Sequence, residues 1–135
     1  MNADLDIESA HELTPLAREL DPKAVVLHCH QFDRRWFMTV ESLSWEPGAA
    51  DQRIHELCHL IERLSPAGRA LWYSATKREF DVGYDTNHGG LLLTRFALRS
   101  DTVGRIAQLG ATLAVSVYRP DLDEALGSTP NPTTL

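Results

Sequence analysis

The chain has 135 residues, 43% of them hydrophobic, and a formal charge of −6 from 19 acidic and 13 basic side chains. That length suits one domain with its own core. The negative balance disfavours nucleic acid and anionic membrane as partners and favours a protein with a basic surface. The first residues, Met1-Asn2-Ala3-Asp4-Leu5-Asp6, form neither a basic nor an apolar leader, and no run is long and apolar enough to cross a bilayer. Cys29 and Cys58 each lie among core-type residues, which suits reduced thiols. The expectation is therefore a single bacterial domain of cytoplasmic type over residues 1–126, followed by a flexible tail at 127–135 that carries prolines and threonines and no charge.

In chain order, residues 3–7 alternate apolar and acidic and predict a half-exposed or edge strand with Ala3, Leu5 and Ile7 on one face. Ser9 with Glu12 three residues on matches a capping box, which predicts a short helix carrying Leu16 and Leu20 inward and stopping at Asp21-Pro22. Residues 24–31 predict a strand with Val25, Leu27 and Cys29 on one face and Val26, His28 and His30 on the other. Asp33-Arg34-Arg35 turns it into a second strand, 36–42, with Trp36, Met38 and Val40 sharing a face.

Residues 50–64 place Ile54, Leu57, Cys58, Ile61 and Leu64 at the spacing of an amphipathic helix, and Ser65-Pro66 opens another through Leu71 and Trp72. Phe80, Val82 and Tyr84 alternate with Glu79, Asp81 and Gly83 in the next strand. A loop at Asn87-His88-Gly89-Gly90 leads to a strand at 92–98. Ser100 caps a helix bearing Val103, Ile106 and Ala107, Gly110 closes it, and residues 112–118 form the last strand. The sum is an α+β fold, an antiparallel or mixed sheet of about six strands with helices packed on one face and ferredoxin-like elements in its first part.

One motif points to chemistry. His55-Glu56-Leu57-Cys58-His59 is a literal H-E-x-x-H, which on a helix puts two imidazoles on one face with a carboxylate beside them. In zinc hydrolases those are two ligands and the general base, Glu56, and Glu62 could add a third ligand. Residues 60–64 supply neither the glycine nor the third histidine of the longer metal motif. His28 and His30 share a strand face and could join His55 or His59 at zinc, although alternating histidines more often line a sheet margin. Cys58 falls on the apolar stripe, which suits a buried thiol rather than a nucleophile. His11 and His88 read as exposed side chains, one in a helix first turn and the other in a loop.

From His55 onward the chain resembles the bacterial family called domain of unknown function 4279. The resemblance rests on Leu57-Cys58-His59-Leu60-Ile61-Glu62-Arg63-Leu64-Ser65-Pro66, His88-Gly89-Gly90, Ile106-Ala107-Gln108-Leu109-Gly110 and Val115-Ser116-Val117-Tyr118. Upstream, Trp36-Phe37-Met38-Thr39-Val40-Glu41-Ser42 is similar to that family's tryptophan strand. It implies an α+β fold and no catalytic residues.

These features predict a non-enzymatic interaction protein, an immunity or inhibitor protein that covers a basic toxin surface. Its binding residues would be Glu79, Asp81 and Asp85 beside a core strand, together with the loop aromatic Trp45. The alternative is a zinc-dependent hydrolase or metal-binding protein built on His55, Glu56 and His59.

Overall fold

The computed structural model describes residues 2–44, 50–85 and 95–118. The elements are β1 (Asn2–Ser9), α1 (Thr14–Leu20), β2 (Val25–Phe32), β3 (Arg35–Glu41), α2 (Ala50–Glu62), α3 (Pro66–Ser74), β4 (Lys77–Asp85), α4 (Ser100–Gln108) and β5 (Thr112–Tyr118). One five-stranded sheet runs in the order β2-β3-β1-β4-β5. Neighbours among its first four strands are antiparallel, while β5 lies parallel to β4. The antiparallel four follow the ferredoxin-like split βαβ order, and α4 with β5 extends it by one crossover unit. This is the expected α+β class, with five strands.

Alternation fixes the layers. On β1, Ala3, Leu5 and Ile7 are buried, and the register sets Leu5 beside Val40 and Phe80, and Ala3 beside Val82. The helices cover this face. From α1 come Leu16 and Leu20, from α2 Ile54, Leu57, Cys58 and Ile61, and from α3 Trp72, all within one core with Leu64 just past α2. The other face of the sheet carries polar and charged side chains, and no described helix lies over it.

Several local expectations change. β1 is a central strand between β3 and β4 rather than an edge, because its acidic side is the open face of the sheet. Ser9 does not cap α1. It is the last residue of β1, paired with Trp36, and its hydroxyl accepts from the His11 N–H at 3.0 Å, so the helix starts after Leu13 with Pro15 in its first turn. His11 is exposed, in a turn and not in a helix.

A bulge between Val26 and His28 shifts the faces of β2. Val26 and Cys29 lie on the helix side opposite Val40 and Met38, while Val25, His28 and His30 lie on the open side. Asp33 and Arg34 form the two-residue turn of the β2–β3 hairpin, both with positive φ, 52° and 66°. Residues 95–98 are not a strand. Phe96 and Leu98 instead pack on the core from irregular chain, the Phe96 ring meeting Tyr84 edge-on at 5.7 Å, and residues 91–94 lie outside the described part.

Helix ends are tied by side chains from elsewhere. Ser65 caps α3 by accepting from the Gly68 N–H at 3.1 Å, and its own N–H and hydroxyl donate to Glu19 of α1. At α4 the capping position is Arg99, one residue before the expected Ser100. Asp51 of α2 accepts from its peptide N–H at 2.8 Å and its guanidinium at 3.0 Å. Burial alone would raise the Asp51 carboxyl, but these donors hold it below its ordinary value. Gly110 closes α4 with φ of +67°, as expected. Arg78 on β4 donates to the carbonyls of Trp72, Ala75 and Gly110, gathering the carboxyl ends of α3 and α4 around one guanidinium. The fully buried Trp72 donates its indole N–H to the Leu109 carbonyl at 3.0 Å.

Trp72→Phe keeps most of the apolar volume and leaves that carbonyl without its donor. The expected loss is about 1 to 3 kcal/mol in urea unfolding. A loss below a few tenths would mean that this bond does not hold α4 to the core.

Candidate functional site

The open face of the sheet brings polar side chains from four adjacent strands into rows. One row crosses three adjacent strands as Glu41 (β3), Asp4 (β1) and Asp81 (β4). The next runs His28 (β2), Thr39, Asp6 and Glu79, and the third runs His30, Phe37, Glu8 and Lys77. Among the described residues, the six carboxylates of these rows are paired with two cations, Lys77 and Arg35. Both cations lie at one end: Lys77 Nζ is 3.4 Å from Glu8 and from Glu79, and Arg35 Nη2 is 3.5 Å from Glu8. Burial alone would lower the Lys77 pKa, but Glu79 and Glu8 outweigh it and raise it. The charge at that end is largely neutralised internally.

The other end is not. Asp4 is half-buried, and its Oδ1 has no hydrogen-bond donor among the described residues. Burial, a hydrogen bond with Glu41 and the charges of Glu41, Asp6 and Asp81 push its pKa up to about 7. Asp81 accepts from the Ser116 hydroxyl at 2.8 Å. Three carboxylates, Glu41, Asp6 and Asp81, thus surround Asp4, and among the described residues no cation is paired with it.

Beside them a hydrogen-bond chain crosses three strands. The Thr39 hydroxyl donates to Asp6 Oδ1 at 2.8 Å and lies 3.0 Å from His28 Nε2. A hydroxyl has one proton, so with that proton on Asp6 the imidazole must donate through Nε2–H. His30 packs edge-on to His28 and stacks on Phe37. With Phe32, which is 69% exposed, these rings wall a groove of about 360 Å³ next to the carboxylate rows.

The H-E-x-x-H motif lies on the opposite side of the sheet, on α2, so His28 and His30 do not come together with it. His55 turns toward α4: Arg105 Nη1 is 3.2 Å from its Nε2, and Asp101 is 4.0 Å from its Nδ1. A guanidinium only donates, so it takes the Nε2 lone pair that a metal would need. The same guanidinium is 3.8 Å from Glu62, and stands between the two proposed ligands. His59 is exposed, and Gln52 donates to Glu56 at 3.4 Å. No group of three or more His, Cys, Asp or Glu side chains among the described residues is arranged to hold a metal ion. His55, Glu56 and His59 do border a cleft of about 660 Å³ shared with Lys23, Ser42 and Leu43. Cys58 is fully buried, and burial with the nearby Glu62 charge pushes its thiol up to about 12, so it stays protonated.

Of the expected binding residues, Glu79 and Asp81 lie on the open face, and Asp85 occupies a register position beside Tyr118. Trp45 and the Asn87-His88-Gly89-Gly90 loop lie outside the described residues. Sequence reasoning missed Asp4, Asp6, Glu8 and Glu41 as partners of Glu79 and Asp81. The alternation of β1 signals its acidic face, but only strand order reveals the neighbours. The motifs that carry the family resemblance are chiefly packing positions here, with Leu57, Ile61, Leu64, Ile106 and Leu109 all buried. No family model, curated protein or solved structure matches the chain.

Two outcomes are expected. Asp4 holds its proton more tightly folded than unfolded, where its pKa is near 3.8. Its contribution to stability is therefore full below that value and is lost as pH rises through about 7. Solvent screens a half-buried group, which leaves a decline of about 1 to 2 kcal/mol. Asp4→Asn should flatten that slope in urea unfolding at a series of pH values and stabilise the protein at alkaline pH, whereas an unchanged slope would assign the proton elsewhere. Zinc added to untagged protein is expected to leave Tm unchanged, since Arg105 occupies the His55 donor; a clear rise would return the motif to a metal role.

Proposed function

We propose that the protein is a non-enzymatic interaction domain whose open sheet face binds a basic protein surface, in the manner of an immunity or inhibitor protein covering a toxin. The observation that carries this reading is the row Glu41-Asp4-Asp81, three carboxyls on adjacent strands with no described cation beside Asp4. Like charges held together in this way cost stability, and a partner's lysine or arginine would offset that cost on docking. The groove at the Glu8 and Lys77 end of the same face, with Phe32 exposed beside His30 and Phe37, offers an apolar anchor two rows along from that charge. Charge gives orientation and encounter rate, and the aromatic edge gives contact area.

The reading also sets a pH dependence. A cation bound beside Asp4 favours its ionised form, so binding displaces a proton below pH 7 and weakens as pH falls through that region.

The test uses a short peptide alternating arginine and tryptophan as the probe, titrated into the labelled protein and followed by amide chemical shifts. Shifts should concentrate on β1, β3 and β4. Affinity should fall with added salt, and a variant combining Asp4→Asn, Glu41→Gln and Asp81→Asn should bind about tenfold or more weakly. Shifts centred on the helices, or affinity indifferent to both salt and the triple substitution, would rule the reading out.

A further inference from the structure

Alternation on two strands builds the groove of the open face. β2 presents His28, His30 and Phe32 at every second position, and β1 presents Asp6 and Glu8. β3 lies between these strands, and its Phe37 and Thr39 form the floor. The groove of about 360 Å³ therefore has one wall of rings and one of carboxylates, about 10 Å apart at two strand spacings. It lies at the Glu8 and Lys77 end of the sheet. The strands that lead into undescribed chain do so at the opposite end, β1 at Asn2, β3 past Glu41, β4 at Asp85 and β5 at Tyr118.

The carboxylates differ in what they already hold. Glu8 meets both Arg35 and Lys77, and Glu79 shares Lys77. Asp6 accepts the Thr39 hydroxyl at Oδ1, and among the described residues no cation is paired with it. Its second oxygen and remaining lone pairs can take further N–H donors. His28 adds another acceptor, because the ring that donates through Nε2–H to Thr39 keeps a lone pair on Nδ1. Beside these acceptors lie flat ring faces. His30 stacks on Phe37 with 23° between the planes, and both Phe32 and His30 are exposed.

We propose that the groove receives one arginine side chain of the partner, its guanidinium lying on the rings of His30 and Phe37 and forking to Asp6. This rests on the reading of the open face as the docking surface for a basic protein, and names the residue type it recognises. Shape decides for arginine over lysine. A guanidinium is planar and weakly hydrated, so it stacks on a ring while donating in its own plane, whereas an ammonium is compact, strongly hydrated and has no flat face. The aliphatic stem of the arginine covers Phe32. Lys77 limits the number of cations to one: it is drawn to Glu8 and Glu79 at 3.4 Å each, and repels a second charge at that end.

Two probes test this, a peptide alternating arginine and tryptophan and its counterpart with lysine at every arginine, each titrated into the labelled full chain. Wild type should bind the arginine peptide about fivefold or more tightly, with ring shifts largest at His30 and Phe37. His30→Ala combined with Phe37→Leu, and separately Asp6→Asn, should bring the two peptides within about twofold of each other, chiefly by weakening the arginine peptide. Amide spectra of each variant check that the fold is intact, and the exposed His30→Ala alone serves should the double variant fail to fold. Equal binding of the two peptides on β1, β3 and β4 overturns the arginine site and leaves the acidic face standing as the docking surface. Shifts centred on the helices remove both. A preference for arginine that survives the ring variants and Asp6→Asn overturns the site as well.

Discussion

β1 lies between β3 and β4, and its two-residue period couples the core to the open surface. Its inward positions are buried, Ala3 beside Val82, Leu5 between Val40 and Phe80 and Ile7 beside Met38, while the outward ones lie beside mostly polar side chains, Asp4 between Glu41 and Asp81, Asp6 between Thr39 and Glu79 and Glu8 between Phe37 and Lys77. A slip of one residue would send carboxylates into the core and leucine to solvent, so hydrophobic burial fixes the register of the acidic rows. The electrostatic tension at Asp4 is thus maintained by packing on the far side of the same strands. Relief of that tension has to come from outside the sheet, either from a proton or from a cationic group.

Period gave the sequence reading its reach, and period limited it. The stripe Ile54, Leu57, Cys58, Ile61 and Leu64 identifies α2 and its buried face because helix spacing needs no knowledge of neighbours. Alternation likewise sorts Phe80 and Val82 from Glu79 and Asp81. It is silent on lateral order, so a central strand with one wet face reads like an edge strand, and the acidic rows stay scattered across β1, β3 and β4 in the sequence. Where alternation breaks, the reading breaks with it: the bulge in β2 moves Val26 to the helix side and leaves His28 and His30 outside.

Capping residues mislead for a related reason. Ser9 and Ser100 have the right chemistry for helix starts, but the ladder extends through Ser9, and Asp51 from another helix reaches the start of α4 one residue earlier. The H-E-x-x-H match belongs to the same class of tertiary override. The spacing is that of a ligand pair, and Arg105 from α4 gives His55 a different partner. A short motif states which atoms could converge, and the packing of a second helix decides what they meet.

The guanidinium of Arg78 has a bearing on how the structure opens. It donates to carbonyls at the ends of two helices that are far apart in sequence, so fraying of α3 at Trp72 to Ala75 and loosening of α4 at Gly110 draw on a shared restraint. The two helix ends should therefore breathe together as one sub-global unit, exchanging their amide protons at matched rates, with β5 attached to the unit that moves.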